Sequence, residues 1–207
     1  MPPVYTLYSM QDSGNCYKPR LLMHQLGLSF RLVDTDSRDG STRKPEFLAI
    51  NPNGKVPALV LPDGRTLSES NAMLLHLAEG TPFLPADSHD RAVCYQWLFF
   101  EQYSHEPYIA VARSWLHVYP DRRGKATPEQ IALWREKGNH ALAVMEQRLA
   151  GREWLAATAY SVADIALYAY THVAGEGGFD LRAYPAIRAW LARVAAEPRH
   201  VDIDWRP

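Results

Sequence analysis

Cysteine is scarce in this chain: Cys16 and Cys94 are the two among 207 residues, and they stand far apart. Such a pair makes no disulfide framework, no CxxC redox motif and no zinc ligand set, and it suits reduced thiols in a reducing compartment. An excess of either charge is missing as well. Lys+Arg 22 against Asp+Glu 23 gives a formal net charge of −1, with no basic run long enough to track a phosphate backbone, so nucleic acid is not an expected partner. Long apolar runs are missing too. The stretch from Ala163 to Ala169 falls far short of the ~20 residues that span a bilayer, so no membrane crossing is expected. The opening Met1-Pro2-Pro3-Val4-Tyr5 lacks a basic segment followed by an apolar core, so no secretory signal and a cytoplasmic location are expected. What is present, 47% hydrophobic and 22% charged residues, is the composition of a packed globular chain long enough for one large domain or two small ones.

The pattern changes along the chain. Val4 to Tyr8 is rich in aromatic and β-branched residues, as strands are, and Cys16 to Leu26 places Leu22 and Leu26 on one helical face. Phe30 to Val33 reads as a second strand, and Ala58 to Leu61 as a third. Arg65 to Leu67 makes a fourth across the Pro62-Asp63-Gly64 turn. Ser68-Glu69-Ser70 then opens a helix through Ala72, Leu74, Leu75 and Leu77, giving the order βαβ, a connecting segment, then ββα. Gly80 to Asp87, with Pro82 and Pro85, holds no period and reads as a linker. Beyond it strand signals vanish. Asp90 to about Val118 reads as a long aromatic helix bent at Pro107, and Thr127-Pro128-Glu129-Gln130 opens a helix to about Ala150. Ser161-Val162-Ala163-Asp164 forms a second capping box, and Pro185 starts the last helix. The expected division is residues 1–79, an α/β domain; 80–88, a linker; and 89–207, an all-α helical bundle.

Four local features are candidates for chemistry, and each has a plain structural reading. Ser13-Gly14-Asn15-Cys16 lies between strand one and helix one, where a hydroxyl or amide beside the positive helix end can donate to an anionic sulfur; alone it is also an ordinary turn and cap. Cys16 is either a thiolate activated at a helix N-terminus or a small buried hydrophobe. Asn51-Pro52-Asn53-Gly54-Lys55-Val56-Pro57 suits a cis bond at Pro57 and an edge that pairs with a peptide-like ligand, or a simple turn. Glu69-Ser70 can hold an α-carboxylate and an amino group, or merely cap a helix. At helical spacing most aromatic residues from Tyr95 to Tyr119 are core, but Tyr103, His105, Tyr108 and Trp115 around Pro107 can line an apolar pocket facing the first domain, with Arg113 on the same helix. His105-Glu106 does not open an HExxH site, because Ile109 stands at the second His position, and no metal site is expected. Gly175, Gly177 and Gly178 read as a helix-ending turn, not a phosphate loop.

Taken in order, Ser13-x-x-Cys16, Glu46-Phe47-x-x-Ile50-Asn51-Pro52, Gly54-Lys55-Val56-Pro57-Ala58-Leu59, Leu67-x-Glu69-Ser70 and Ser161-x-x-Asp164 resemble the cytosolic glutathione S-transferase family across essentially the whole chain. The resemblance implies a thioredoxin-like N-terminal domain that binds glutathione, an all-helical C-terminal domain with a pocket for a small hydrophobic electrophile, and a homodimer. It makes Ser13 the hydroxyl that stabilises the glutathione thiolate, with Asn15 a second donor. Val56 beside cis-Pro57 would bind the cysteinyl part, Lys55 the glycyl carboxylate, and Glu69 with Ser70 the γ-glutamyl end. Cys16, where many members carry Ser or Cys, leaves a mixed disulfide with glutathione open, and Tyr8 lies within the strand and not in the loop. Arg113 would reach the sulfur or a substrate carboxylate, or else form an ion pair. The implied activity is a glutathione transferase acting in detoxification. Alternatives are a glutathione-dependent disulfide reductase, peroxidase or isomerase, and a non-catalytic partner-binding module on the same fold.

Overall fold

The computed structural model describes residues 4–207, so Met1-Pro2-Pro3, read above for a leader, lies outside the described residues. The chain forms two compact units: one ends at Glu79 and takes in Pro198–Pro207, the other runs Gly80–Glu197. Residues 198–207, expected with the helical segment, therefore group with the α/β unit. Their hydrogen bonds to helix one, given below, are the cause.

In the first unit β1 (Tyr5–Ser9), β2 (Phe30–Asp34), β3 (Ala58–Val60) and β4 (Thr66–Ser68) form a sheet in the order β2-β1-β3-β4. β1 pairs parallel with β2, which requires the crossover helix α1 (Gly14–Gln25). β3 runs antiparallel to both β1 and β4, and the β3–β4 hairpin closes through Leu61 N–H to the Arg65 carbonyl at 2.8 Å. The segment between β2 and β3, assigned above only as a connection, contains a short 3-10 turn (Ser41–Arg43) and a one-turn helix, α2 (Pro45–Leu48). α2 turns the aromatic ring of Phe47 into the core against Tyr8, with centroids 5.8 Å apart. α3 (Ser70–Ala78) follows β4 directly and packs beside α1.

α1 is buried on nearly every side from Gly14 to Met23, Lys18 and Arg20 included. One face meets α3; the carboxy-terminal tail covers another. Tyr17 donates its hydroxyl to the Val201 carbonyl at 2.6 Å, Arg20 donates to the Ile203 carbonyl at 2.9 Å, and His24 lies 4.6 Å from the Trp205 ring. A helix that would show an ordinary polar outer face to water is thereby closed in on both sides.

In the second unit the long helix expected from Asp90 resolves into α4 (Ser88–Phe100), a π turn (Glu101–His105), α5 (Glu106–Arg113) and a second π turn (Ser114–Val118). Pro107 explains the first. It has no N–H to donate, and the register shift lets Glu106 N–H reach the Glu101 carbonyl, so the proline falls at the start of a new helix. α6 (Pro128–Leu149) opens with the Thr127/Gln130 capping box. Gly138 on α6 lets Phe179 approach so closely that a Cβ there would lie 2.4 Å from its ring, an overlap that makes any side chain cost about 1–3 kcal/mol. α7 (Val162–Thr171) is buried along its whole length. α8 (Pro185–Ala195) receives its N-terminal cap from α6: Glu146 accepts from Ala186 and Ile187 N–H, both at 2.9 Å.

Between α6 and α7 the Ser161/Asp164 box is part of a larger cluster. Asp164, fully buried, accepts from Leu155 N–H (3.0 Å), Ser161 N–H (3.0 Å), Ser161 Oγ (3.1 Å) and Trp190 Nε1 (2.9 Å). Burial still pushes its carboxyl up to about 6, against the pull of those donors.

Candidate functional site

Strand register gathers the predicted residues of the first unit. Tyr8 pairs with Ala58 and Ala58 with Ser68, so the end of β1, the start of β3 and the end of β4 share one end of the sheet. The Met10–Ser13 loop, the Val56–Pro57 bond and Glu69-Ser70 continue the chain from that end. The Val56–Pro57 peptide is cis. Asn51 shapes the loop before it, donating Nδ2 to the Lys55 carbonyl at 2.7 Å and accepting Asn53 N–H at 3.1 Å. Lys55 itself is exposed.

Ser13 is the N-cap of α1, its Oγ accepting Cys16 N–H at 3.3 Å. The helix end that it caps carries N–H groups that favour negative charge. Asn15 lies one residue into the first turn. Ser70, first residue of α3, donates Oγ to Asn15 Oδ1 at 3.1 Å, which ties together the N-termini of α1 and α3. Behind them Lys18, 0% exposed, donates Nζ to Ser70 Oγ at 3.3 Å and to Asn71 Oδ1 at 3.2 Å. Lysine has donors only, so Ser70 accepts from it and must pass its own proton onward. Asn15 therefore turns its amide oxygen to Ser70. Pro19, inside α1, cannot donate to the Asn15 carbonyl, which marks the same residue a second time.

Glu69 occupies φ 69° and ψ 114°, a backbone conformation costly for a residue with a side chain, and it makes no side-chain cap bond to α3. The plain capping reading of Glu69-Ser70 thus accounts for neither residue.

Cys16 is corrected. It is 0% exposed, its Sγ accepts Met10 N–H at 3.3 Å, and burial pushes the thiol up, against smaller pulls from Ser13, Met10 and Arg20. It is a small core residue and not part of a substrate pocket or an activated thiolate. Cys94 is buried too, its thiol pushed up to about 11.

In the second unit, Arg113 is buried and held by Glu176, Nε to Oε2 at 2.6 Å, with His117 3.4 Å from the same carboxylate oxygen. Arg113 is thus one member of a local charge cluster. Trp115 packs against Trp134 at 5.9 Å, with the Arg122 guanidinium 5.5 Å from its ring. Tyr108 is half-buried, and Tyr103 is 84% exposed. Tyr103 therefore stands apart from Arg113 and Trp115 in burial.

Two features escaped sequence reasoning. Lys18 sits three residues after Asn15, on the same helical face, and that spacing is the one local signal of its place. The Arg20 clamp has none: Arg20 holds Gln11 by side chain (2.8 Å) and carbonyl (2.9 Å), and Gln11 donates to the Ile203 carbonyl at 2.7 Å across 192 residues of sequence. Through Gln11 the tail anchors the loop that leads to Ser13.

A mixed sheet carrying a cis-proline edge and polar helix N-termini at one end, followed by a helical unit, defines a thioredoxin-like domain with a helical domain after it. Residues 12–79 match the glutathione S-transferase N-terminal domain, and residues 108–198 match the C-terminal domain. This chain belongs to the glutathione S-transferase family. It is 33% identical to the disulfide-bond oxidoreductase YfcG of Escherichia coli K12, over 89% of this chain and 87% of that one. A glutathione S-transferase of Pseudomonas fluorescens Pf-5 superposes with a TM-score of 0.92 at 50% identity, covering 97% of this chain and 98% of the other. Ure2p, solved in complex with glutathione, superposes at 0.86 with 25% identity over 96% and 92% of the two chains. The chain spans between 57% and 67% of the length of the curated URE2 proteins it matches.

No helix among the described residues is long and apolar enough to cross a membrane.

Proposed function

We propose that this chain is a glutathione transferase that binds glutathione at the sheet end bearing Ser13, Asn15, Val56, Glu69 and Ser70, and activates its sulfur as a thiolate. The observation that carries the reading is the relay from Lys18 through Ser70 to Asn15, which holds the Asn15 side chain in the first turn of α1, two residues from the Ser13 cap. Glu69 and Ser70 hold the γ-glutamyl end, the Val56 backbone beside Pro57 pairs with the cysteinyl unit, and Lys55 approaches the glycyl carboxylate.

A free thiol near pKa 8.5 is mostly protonated at neutral pH, and lowering it by two units takes about 2.7 kcal/mol of preference for the thiolate. One hydrogen bond to a charged acceptor is worth about 1.5–3 kcal/mol, and the helix end adds up to about 1. Ser13 and Asn15 therefore suffice without a basic residue at the sulfur. The thiolate then attacks an electrophilic carbon, forming a C–S bond while the leaving group departs with its electron pair. The reading assigns residues 1–79 to glutathione and the helical residues from 89 onward to a small hydrophobic electrophile. It takes the active form as a cytoplasmic homodimer.

A second reading, glutathione-dependent disulfide reduction, is favoured by the likeness to YfcG. Cys16 and Cys94 are both 0% exposed, so here bound glutathione supplies the sulfur. Its thiolate attacks a substrate disulfide, one substrate thiolate leaves, and a second glutathione releases the first as glutathione disulfide. Turnover of glutathione with an aryl halide and with a low-molecular-weight disulfide separates the two. Aryl conjugation above the disulfide rate supports the transferase, disulfide reduction alone supports the second reading, and neither, with no calorimetric heat at millimolar glutathione, removes both.

A further inference from the structure

The helical unit carries a cavity of about 410 Å³ lined by the rings of Phe83, Trp154 and Tyr160 and by Pro82, Thr158, Ala159 and Glu197. Its walls are pinned from three directions. The Phe83 carbonyl accepts Val162 N–H at 2.9 Å, Trp154 precedes the Leu155 amide held by Asp164, and Glu197 caps the end of α8 with its backbone N–H on the Val194 carbonyl at 3.1 Å. The rings are set as a corner and not a stack: Tyr160 lies 5.2 Å from Trp154 at 57° and 5.8 Å from Phe83 at 71°.

Glu197 is half-buried beside those rings, and no basic side chain of the described residues pairs with its carboxylate. Burial alone pushes its carboxyl up. The Arg193 guanidinium lies over the Trp154 ring at 5.8 Å but is held by the Glu153 carbonyl at 2.9 Å and is not among the lining residues. Three tilted aromatic rings with one unpaired carboxylate attract a cation twice, through the ring quadrupoles and through the negative charge. They suit a weakly hydrated cation whose methyl groups tolerate an apolar wall; a neutral apolar guest would leave Glu197 without a partner at a cost.

We propose that this cavity binds a small quaternary ammonium compound, its methyl groups against Phe83, Trp154 and Tyr160 and its charge toward Glu197. The proposal is independent of the glutathione reading. The full chain is titrated with choline and, separately, with 3,3-dimethylbutan-1-ol, which has the same shape without the charge. The indole N–H resonance of Trp154 is followed, assigned by its loss in Trp154→Phe. Choline is expected to shift that resonance with saturation by about 10 mM. The alcohol should bind about tenfold more weakly or not at all, and Glu197→Gln should weaken choline about tenfold while leaving the alcohol unchanged. No shift at Trp154, equal binding of choline and the alcohol, or an unaltered choline response in Glu197→Gln each overturns it.

Discussion

The two units each bury a polar network at a helix N-terminus, and the networks end differently. In the helical unit Asp164 collects four donors, from Leu155, Ser161 twice and Trp190, all of them belonging to that unit's own core. The network closes on itself, and its effect is to join the start of α7 to α8 and the preceding loop. In the α/β unit the relay starts on a buried cation, Lys18, passes through Ser70, and ends on a side-chain amide next to the Ser13 cap. It runs to the surface at a sheet end where Glu69 sits in strained backbone without a capping bond. A closed network serves stability; one that joins two helix N-termini at a sheet end, beside a strained residue, is what the proposed glutathione site would use.

Substitutions should therefore separate the two. The largest effect is expected for Asp164→Ala, which strands four donors in the core and should cost about 3–5 kcal/mol in denaturant unfolding. A loss below about 1 kcal/mol would erase the contrast. Next, Ser70→Ala should weaken glutathione about 10–100-fold in calorimetry, because Asn15 loses its orienting donor and Lys18 one acceptor; the stability cost should be about 1–3 kcal/mol. Ser13→Ala and Asn15→Ala should each raise the pKa of bound glutathione by about one unit, Ser13→Ala also costing about 1 kcal/mol as a lost cap.

Asp164 also sets a pH signature. Its folded carboxyl, at about 6, lies above its ordinary 3.8, so the protonated form is the one the fold favours. The stability this group contributes is fully present below about pH 4 and is lost as pH rises through 6. Wild type minus Asp164→Asn, in unfolding free energy across that window, should show this fall; a flat or rising difference contradicts it. The smallest expected effect has opposite signs in the two readouts. Glu69→Gly should stabilise by about 0.5–1 kcal/mol by relieving the positive φ, while weakening glutathione. Loss of stability instead would place Glu69 with the structural residues.

Much of this arrangement was legible in local sequence. Both capping boxes, at Thr127/Gln130 and Ser161/Asp164, form as their spacing demands, because such motifs are satisfied within four residues. The order of strands, the Val56–Pro57 edge and the starts of α3, α6 and α8 were legible for the same reason. The π turns were not: Pro107 announces a break, but whether a chain kinks or shifts register depends on the packing around it. Nor was the role of Lys18, whose partners lie 52 and 53 residues away, whereas the reading of Cys16 as a small buried hydrophobe holds. The tail is the extreme case. Nothing near Ile203 tells that its carbonyl accepts from Gln11 and Arg20, because such contacts exist only once the sheet and α1 have formed.

Activation of a thiol by Asn15 and the Ser13 cap would show in the ultraviolet difference absorbance of bound glutathione between about pH 5 and 9. A thiolate signal titrating about two units below free glutathione is expected in the wild type, moved upward in Ser13→Ala and in Asn15→Ala. A bound thiol that titrates as free glutathione does, or one unmoved by both substitutions, would contradict it.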